Sequence, residues 1–171
     1  EATTVNVETD LLAAARSMAQ REAGIVCILG TGSNACRYDG SQIVETAGGL
    51  GFILGDEGSG AAIGKDLIRS FLNLEMPENL REELNEQYHL TRDNILQSVY
   101  QLPYPNRFLA TFAKKKKKNR QEPIIKDLLD RQFNLFLKRG VLLLENSQHL
   151  PIHFVGSIAQ YFQEEIKRNA E

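Results

Sequence analysis

The stretch that decides the fold is Ile25-Val26-Cys27-Ile28-Leu29-Gly30-Thr31-Gly32-Ser33-Asn34. It joins five consecutive apolar residues to a turn made of glycines and small polar residues. A short, continuous apolar run predicts a strand that is buried on both faces. Further along, Asp39-Gly40 lies between two short strand patterns, residues 35–38 and 42–46, which is a good hairpin signal. We therefore expect three neighbouring antiparallel strands in this part of the fold.

Helical patterns surround these strands. Asp10 precedes a run of helix formers that Gly24 ends. A glycine-rich stretch over 48–60 opens into a helix from about residue 59 to 72. Further helices are predicted at 78–88, at 91–100, after Pro105 and, from apolar periodicity, over 122–144. A strand at 152–155, the Gly156-Ser157 turn and a helix to about residue 169 come last. This order predicts an α/β layer with a mixed sheet that contains antiparallel hairpins and is flanked by helices.

Composition narrows the class of protein. The chain has 171 residues, of which 42% are hydrophobic and 25% charged, as expected for an ordinary globular domain. No apolar run approaches the ~20 residues of a membrane-spanning helix, and the first residues lack the pattern of a signal peptide. We therefore expect a cytoplasmic protein without a membrane partner. Only two cysteines are present, Cys27 in the apolar run and Cys36, so we expect a buried free thiol and no metal site built from side chains.

A run of five lysines, Lys114 to Lys118, interrupts the otherwise varied sequence. It could contact phosphate or nucleic acid, form a solvated loop, or stand in for residues that were not assigned. No aromatic residues are interleaved with it and no basic patch adjoins it, which disfavours nucleic acid. Removing these five positive charges takes the formal net charge from −2 to −7. We therefore expect no nucleic-acid partner.

The glycine turn imitates a dinucleotide site. Gly30 to Ala35 match G-x-G-x-x-A, but that fingerprint requires a helix after the turn, and a strand is predicted here. Gly60 to Asp66 imitate a P-loop, yet the spacing is short by one residue and Asp stands where Ser or Thr would bind magnesium. What remains at Gly30 to Asn34 is a tight turn whose N–H groups could cradle phosphate oxygens. A plain β-turn with Gly and Asn at positive φ accounts for these residues equally well.

A second candidate site follows in Gly48-Gly49-Leu50-Gly51 and Gly55-Asp56-Glu57-Gly58-Ser59-Gly60. Glycines let the backbone approach a ligand closely, and two carboxylates in such a loop could hold sugar hydroxyls by charge-assisted hydrogen bonds. The alternative is that Asp56, Glu57 or Ser59 only caps the next helix. The density of glycines favours a binding role.

These motifs, taken in order, resemble those of the N-acetylglucosamine kinases and the related BadF/BadG/BcrA/BcrD ATPases. The resemblance covers residues 10–59 and returns at Val155-Gly156-Ser157-Ile158-Ala159. It implies the actin, sugar-kinase and Hsp70 ATPase superfamily, in which two ribonuclease-H-like domains flank a cleft. The implied activity is ATP-dependent phosphorylation of an amino sugar, above all N-acetylglucosamine, with ATP and Mg²⁺ as cofactors. A small-molecule sugar is then the partner, and a homodimer is compatible with the family.

The resemblance also assigns site residues. The ATP phosphates would lie on Gly30, Thr31, Gly32 and Ser33, and the adenosine on Gly156 and Ser157. The sugar would lie by Asn34, Gly48, Gly49, Gly51, Asp56 and Glu57. Asp10, just before a helix of small residues, matches the catalytic Asp that accepts the proton of the attacking sugar hydroxyl. Considered without the resemblance, Asp10 is a good N-cap for that helix.

The family pattern further implies how the chain is organised. Residues 1–23 would be the end of an N-terminal lobe and a linking helix, and residues 24–171 a C-terminal ATPase lobe with a helical insertion at about 73–121. The family's first phosphate motif, an Asp-Gly-Gly-Gly-Thr-Lys-like hairpin, does not occur in the sequence. We therefore expect this chain alone to be inactive. The alternatives are an iron–sulfur ATPase activator of the BadF/BadG type, which would need Cys36 as a ligand, and a non-catalytic sugar sensor.

Overall fold

The computed structural model describes residues 8–114 and 122–170. The elements in chain order are α1 (Asp10–Ala19), β1 (Gly24–Leu29), β2 (Ser33–Tyr38), β3 (Ile43–Gly48), α2 (Gly51–Leu54), α3 (Gly60–Leu72), α4 (Glu78–Tyr88), α5 (Arg92–Tyr100), α6 (Pro105–Ala110), α7 (Pro123–Arg139), a 3₁₀ turn (Val141–Leu143), β4 (Ile152–Val155), α8 (Ser157–Tyr161) and α9 (Gln163–Ala170). The predicted mixed α/β class is confirmed.

The four strands form one mixed sheet in the order β3-β2-β1-β4. β1 pairs antiparallel with β2, and β2 pairs antiparallel with β3, so the three predicted antiparallel neighbours are confirmed. β4 pairs parallel with β1, from Ile25↔Ile152 to Ile28↔Val155. Because parallel neighbours point the same way, β1 and β4 end at the same edge of the sheet. The turns after Leu29 and Val155 therefore lie side by side.

Both faces of β1 are covered, as its continuous apolar run predicts. Ile25, Cys27 and Leu29 belong to the large core formed with the helices that follow the sheet. Val26 faces the other way and packs with α1 in a smaller core. Alternate residues of a strand point to opposite faces, so an apolar residue is needed at every position.

The helix boundaries differ from the prediction in three places. The short helix α2 was not predicted, because four residues are too few to show a periodicity. The helix predicted over 122–144 ends at Arg139, and Gly140 passes the chain into the 3₁₀ turn. The last helix is divided at Phe162 into α8 and α9.

Other expectations fall partly outside the described residues. Helices α4, α5 and α6 occupy the expected insertion at 73–121, of which 115–121 lie outside the described part. Of the lysine run only Lys114 is described. The lobe boundary between residues 23 and 24 stays a prediction. Within residues 8–114 and 122–170, no helix is long and apolar enough to cross a membrane.

One glycine marks a close contact between helices. Gly64 lies in the middle of α3, and a Cβ added there would come within 1.8 Å of the carbonyl oxygen of Leu109 in α6. That oxygen belongs to the backbone and cannot swing aside. The absence of a side chain at Gly64 therefore lets α6 lie directly on α3.

We predict that Gly64→Ala lowers the free energy of unfolding by about 2 kcal/mol or more, the cost of overpacking. Helix propensity alone predicts the opposite, a gain of roughly 0.5–1 kcal/mol from replacing Gly by Ala within a helix. Denaturant-induced unfolding measures the difference. Gln87→Ala, at an exposed position of α4, is the control and should change stability by no more than about 0.5 kcal/mol. A stabilised Gly64→Ala protein would contradict the close contact.

Candidate active site

The turn between β1 and β2 is fixed by its carbonyl groups. The Gly30 N–H donates to the Gly32 carbonyl at 2.9 Å, which closes the turn. The carbonyls of Gly30 and Thr31 accept hydrogen bonds from the N–H groups of Gly60 and Ala61, at 2.8 and 3.0 Å. The first turn of α3 therefore holds this loop in place through the backbone alone.

The amides of the same turn remain available. Across residues 8–114 and 122–170, no hydrogen bond uses the N–H of Thr31 or of Gly32. Thr31 is exposed and Gly32 half-buried, so a ligand can reach both. Two successive free N–H groups beside the N-terminus of a 13-residue helix form a favourable place for an anion. The turn can therefore hold phosphate oxygens.

Asp56 lies directly against this turn. A Cβ on Gly32 would come within 2.9 Å of Asp56 Oδ2, so the carboxylate occupies the space that a side chain would take. Asp56 is only 9% exposed, and its φ of 61° is in the left-handed region. Burial raises the pKa of the Asp56 carboxyl, and the nearby Glu57 carboxylate adds to the rise. The Ser33 N–H donates to Asp56, and this bond and the Lys65 ammonium both lower the pKa.

The N-caps of α3 and α1 show which of the candidate residues cap these two helices. Ser59, not Asp56 or Glu57, caps α3 by accepting from the N–H of Ala62 at 3.2 Å. Thr9 caps α1 by accepting from the N–H of Leu12. The N-cap interpretation of Asp10 is therefore wrong. Neither carboxylate, Asp10 or Asp56, is needed to cap a helix.

Asp10 is the first residue of α1 and is exposed. Among residues 8–114 and 122–170, its one hydrogen bond is local: Oδ1 accepts from the Leu11 N–H at 2.8 Å. α1 packs on β1 and β2, and its C-terminal end is fixed where β1 begins, since the Tyr38 hydroxyl donates to the Gln20 carbonyl. The N-terminal end of α1, with Asp10, therefore points towards the edge where β1 ends at Leu29.

Asn34 and the paired glycines lie together. Asn34 is paired with Gly48 across β2 and β3. A Cβ on Gly49 would come within 3.2 Å of the Asn34 side-chain nitrogen, and Gly48 and Gly49 have φ of 87° and 68°. Gly51, with φ of 77°, begins α2 and has open space where a side chain would be. Gly48 and Gly49 thus present bare backbone beside Asn34, and Gly51 follows them with open space around it.

Glu57, one of the predicted sugar ligands, forms an ion pair with Arg139. Its Oε1 accepts from Arg139 Nη1 on α7 at 2.7 Å. This ion pair gives Glu57 a role in fastening the loop to α7. Its contact with a sugar stays a prediction.

Gly156 and Ser157 lie at the start of α8, directly after β4. Gly156 has φ of 110°, and a Cβ there would come within 2.3 Å of the Leu29 carbonyl oxygen. The turn after β4 is therefore packed against the end of β1, next to Gly30. Both residues line a groove of about 760 Å³ that continues along Gln160, Gln163 and Lys167. The structure thus brings the predicted adenosine turn beside the predicted phosphate turn.

The cysteines do not form an exposed ligand set. Cys27 and Cys36 are both buried free thiols, and they belong to the two different cores of the sheet. Burial raises the pKa of both thiols. Because the thiolate is the form that binds metal, this environment disfavours cluster ligation. Among residues 8–114 and 122–170, no group of three His, Cys, Asp or Glu side chains could hold a metal ion.

Sequence reasoning missed a buried polar residue that holds the Asp56 loop. Gln132 lies among the apolar positions of α7, and its Oε1 accepts from the Gly58 N–H at 3.1 Å. The available signal was a glutamine inside an otherwise apolar helical stripe. A buried amide requires partners, so it points to a network across the core.

Similar proteins are found among the solved structures. No protein-family model and no curated protein matches this chain. It is similar to the putative N-acetylglucosamine kinase of Porphyromonas gingivalis, at 44% identity and a TM-score of 0.90. The match covers 94% of this chain and 56% of that one.

A second solved structure has the same fold. It is the putative N-acetylglucosamine kinase of Chromobacterium violaceum, at 22% identity and a TM-score of 0.64, covering 91% of this chain and 54% of that one. The chain therefore spans about half the length of both proteins. The resemblance that the motifs predicted is confirmed: in sequence and fold, this chain is similar to about half of a protein named as an N-acetylglucosamine kinase.

Proposed function

We propose that this chain is part of an ATP-dependent sugar kinase that phosphorylates an amino sugar, in the first place N-acetylglucosamine. The observation that carries the proposal is the convergence at one edge of the sheet of a turn with free amides, a buried carboxylate and glycine-lined backbone. The name and the 44% identity of the P. gingivalis protein support it independently. A kinase must hold phosphates and a sugar hydroxyl within reach of one another, and this arrangement provides for both.

The phosphate side of the site is formed by Gly30 to Ser33. The free N–H groups of Thr31 and Gly32 would donate to phosphate oxygens, and the groove beside Gly156 and Ser157 would take the adenosine. The absence of a side chain at Gly30 fits a group that must approach the backbone, whereas at Gly32 it makes room for the Asp56 carboxylate. When bound with ATP, Mg²⁺ supplies charge neutralisation on the phosphates. This chain would supply preorganised hydrogen-bond donors, the N–H groups of Thr31 and Gly32.

The sugar side is formed by Asp56 and Asn34. A buried carboxylate that already accepts one N–H bond, from Ser33, retains lone pairs for two sugar hydroxyls. Charge-assisted hydrogen bonds of this kind are roughly twice as strong as neutral ones. Gly48, Gly49 and Gly51 would let the sugar lie against the backbone, with the Asn34 amide beside it.

Asp10 would act as the general base. It would accept the proton of the sugar hydroxyl while that oxygen attacks the γ-phosphate. Its side chain is not the N-cap of α1, and within the described part of the chain only its Oδ1 is hydrogen-bonded, which leaves Oδ2 for this role. Proton transfer of this kind contributes typically 10²–10⁴-fold to the rate, or about 3–5 kcal/mol.

The first test is activity. With ATP and Mg²⁺, we expect the complete protein to phosphorylate N-acetylglucosamine faster than glucosamine, glucose or N-acetylmannosamine. The 171-residue chain alone should give negligible turnover, because it lacks the first phosphate motif. Sugar-dependent release of ADP measures both. No turnover with any of the four sugars would contradict the proposed function. Robust turnover by the 171-residue chain would contradict the prediction that it is inactive alone.

The second test concerns Asp10. In the complete protein, Asp10→Asn should lower kcat by roughly 10²–10⁴-fold because it removes the general base. The affinity for ATP, measured by calorimetry, should change little. Asp127→Asn, at an exposed position of α7, is the matched control and should keep wild-type kcat. A wild-type kcat in Asp10→Asn would remove Asp10 from the mechanism.

The third test separates binding from stability at Asp56. Asp56→Asn should raise the KM for the sugar roughly 10- to 100-fold, the loss of charged hydrogen bonds. The same variant should be more stable than the wild type at pH 7. Because burial raises the pKa of Asp56 above its unfolded value, the folded state binds the proton more tightly, and stability falls as pH rises through that window.

The advantage of Asp56→Asn should therefore shrink as the pH is lowered towards the ordinary carboxyl pKa of about 3.9. Thermal unfolding between about pH 3.5 and 7.5 covers the window in which such a carboxyl titrates, with Asp127→Asn again as control. A difference that does not depend on pH would show that the Asp56 carboxylate is not the source.

A further inference from the structure

The loop that carries Asp56 is shaped by unusual backbone geometry. Asp56 and Gly58 both have left-handed φ, of 61° and 72°. A non-glycine residue in this region costs roughly 1 kcal/mol or more and persists only when its surroundings hold it. Within the loop itself, the Ser59 N–H donates to the Asp56 carbonyl at 3.1 Å. Further constraints come from α7.

One face of α7 fastens the loop at three points. Gln132 Oε1 accepts from the Gly58 N–H, and the side chain of Phe136 fills the space where Gly58 has no Cβ, with a 3.0 Å approach. Arg139 pairs with Glu57. These positions are spaced by four and three residues, so they lie along one side of the helix. Of the three, the hydrogen bond from Gly58 to Gln132 is the one that is buried and directional.

The orientation of the Gln132 amide is set by a second buried group. Its Nε2 donates to Asp66 Oδ2 at 2.6 Å, and Asp66 is 4% exposed. A carboxylate can only accept, so the amide must turn its nitrogen towards Asp66 and its oxygen towards Gly58. Arg69 and Arg131 also bind Asp66, from exposed positions. The chain of contacts thus runs from α3 through α7 to the loop.

We infer that Gln132, oriented by Asp66, is the positioning residue that holds the Asp56 carboxylate in place to bind the sugar. The sugar part of this inference rests on the proposed function. Gln132 lies in the core and touches no substrate. It acts by fixing the backbone two residues beyond Asp56, where a small displacement changes the hydrogen bonds that a hydroxyl can make.

A substitution tested in two backgrounds isolates this role. In the complete protein, Gln132→Glu places a second carboxylate against Asp66, so the side chain turns away and Gly58 loses its acceptor. We expect the KM for the sugar to rise about tenfold, with the KM for ATP little changed. In an Asp66→Asn background, the introduced amide can donate to the carboxylate introduced at position 132. The same Gln132→Glu substitution should then raise the sugar KM less than about twofold.

A second variant covers the case in which Gln132→Glu does not fold. Gln132→Met has similar volume and no charge but cannot accept the Gly58 N–H, so it should also raise the sugar KM. Asp127→Asn, at an exposed position of the same helix, is the control and should leave the sugar KM unchanged.

Hydrogen exchange of the Gly58 amide gives a readout that does not depend on activity. We expect faster exchange in Gln132→Met and wild-type exchange in Asp127→Asn. If the wild-type protein phosphorylates no amino sugar, the proposed function fails, and the exchange rate alone decides whether Gln132 holds the loop. Unchanged Gly58 exchange in Gln132→Met would overturn the inference. So would an equal effect of Gln132→Glu on the sugar KM in the wild-type and Asp66→Asn backgrounds.

Discussion

The site depends on two backbone hydrogen bonds, those from Gly60 and Ala61 to the carbonyls of Gly30 and Thr31. They attach the turn after β1 to the first residues of α3. The carbonyls of Gly30 and Thr31 are bonded to α3, whereas the N–H groups of Thr31 and Gly32 make no hydrogen bond within residues 8–114 and 122–170. The same contact brings the loop before α3, with Asp56, against Gly32. The turn that we propose to bind phosphate and the carboxylate that we propose to bind the sugar thus have a common support.

Helix α3 and the loop before it are in turn held by α6 and α7. α3 is held by α6 through the close approach at Gly64, and α7 reaches past it to Gly58. Two features of Asp56 are energetically unfavourable. Its backbone is in the left-handed region, and burial raises the pKa of its carboxyl. Strain and desolvation of this kind are typical of sites where a group is kept ready for a ligand. The packing of α3, α6 and α7 stabilises the loop in this conformation.

Much of this could be predicted from local sequence. The apolar run over 25–29, the Asp39-Gly40 hairpin and the ordered glycine motifs are short-range signals, so the three antiparallel strands and the mixed α/β class were recoverable. Two features could not be predicted from local sequence. Thr9 and Asp10 are both good capping residues, and only the helix geometry shows that Thr9 is used. The link from Gln132 to Gly58 joins residues 74 positions apart, which no local pattern records.

The parallel pairing of β1 and β4 has a mechanical consequence. Adjacent strands lie about 4.8 Å apart, and the ladder from Ile25↔Ile152 to Ile28↔Val155 fixes that spacing up to the point where both turns begin. Gly156, pressed onto the Leu29 carbonyl, leaves no slack between them. We therefore expect the two turns to move together. A motion that separates groups at this edge of the sheet would then come from elements outside β1 and β4.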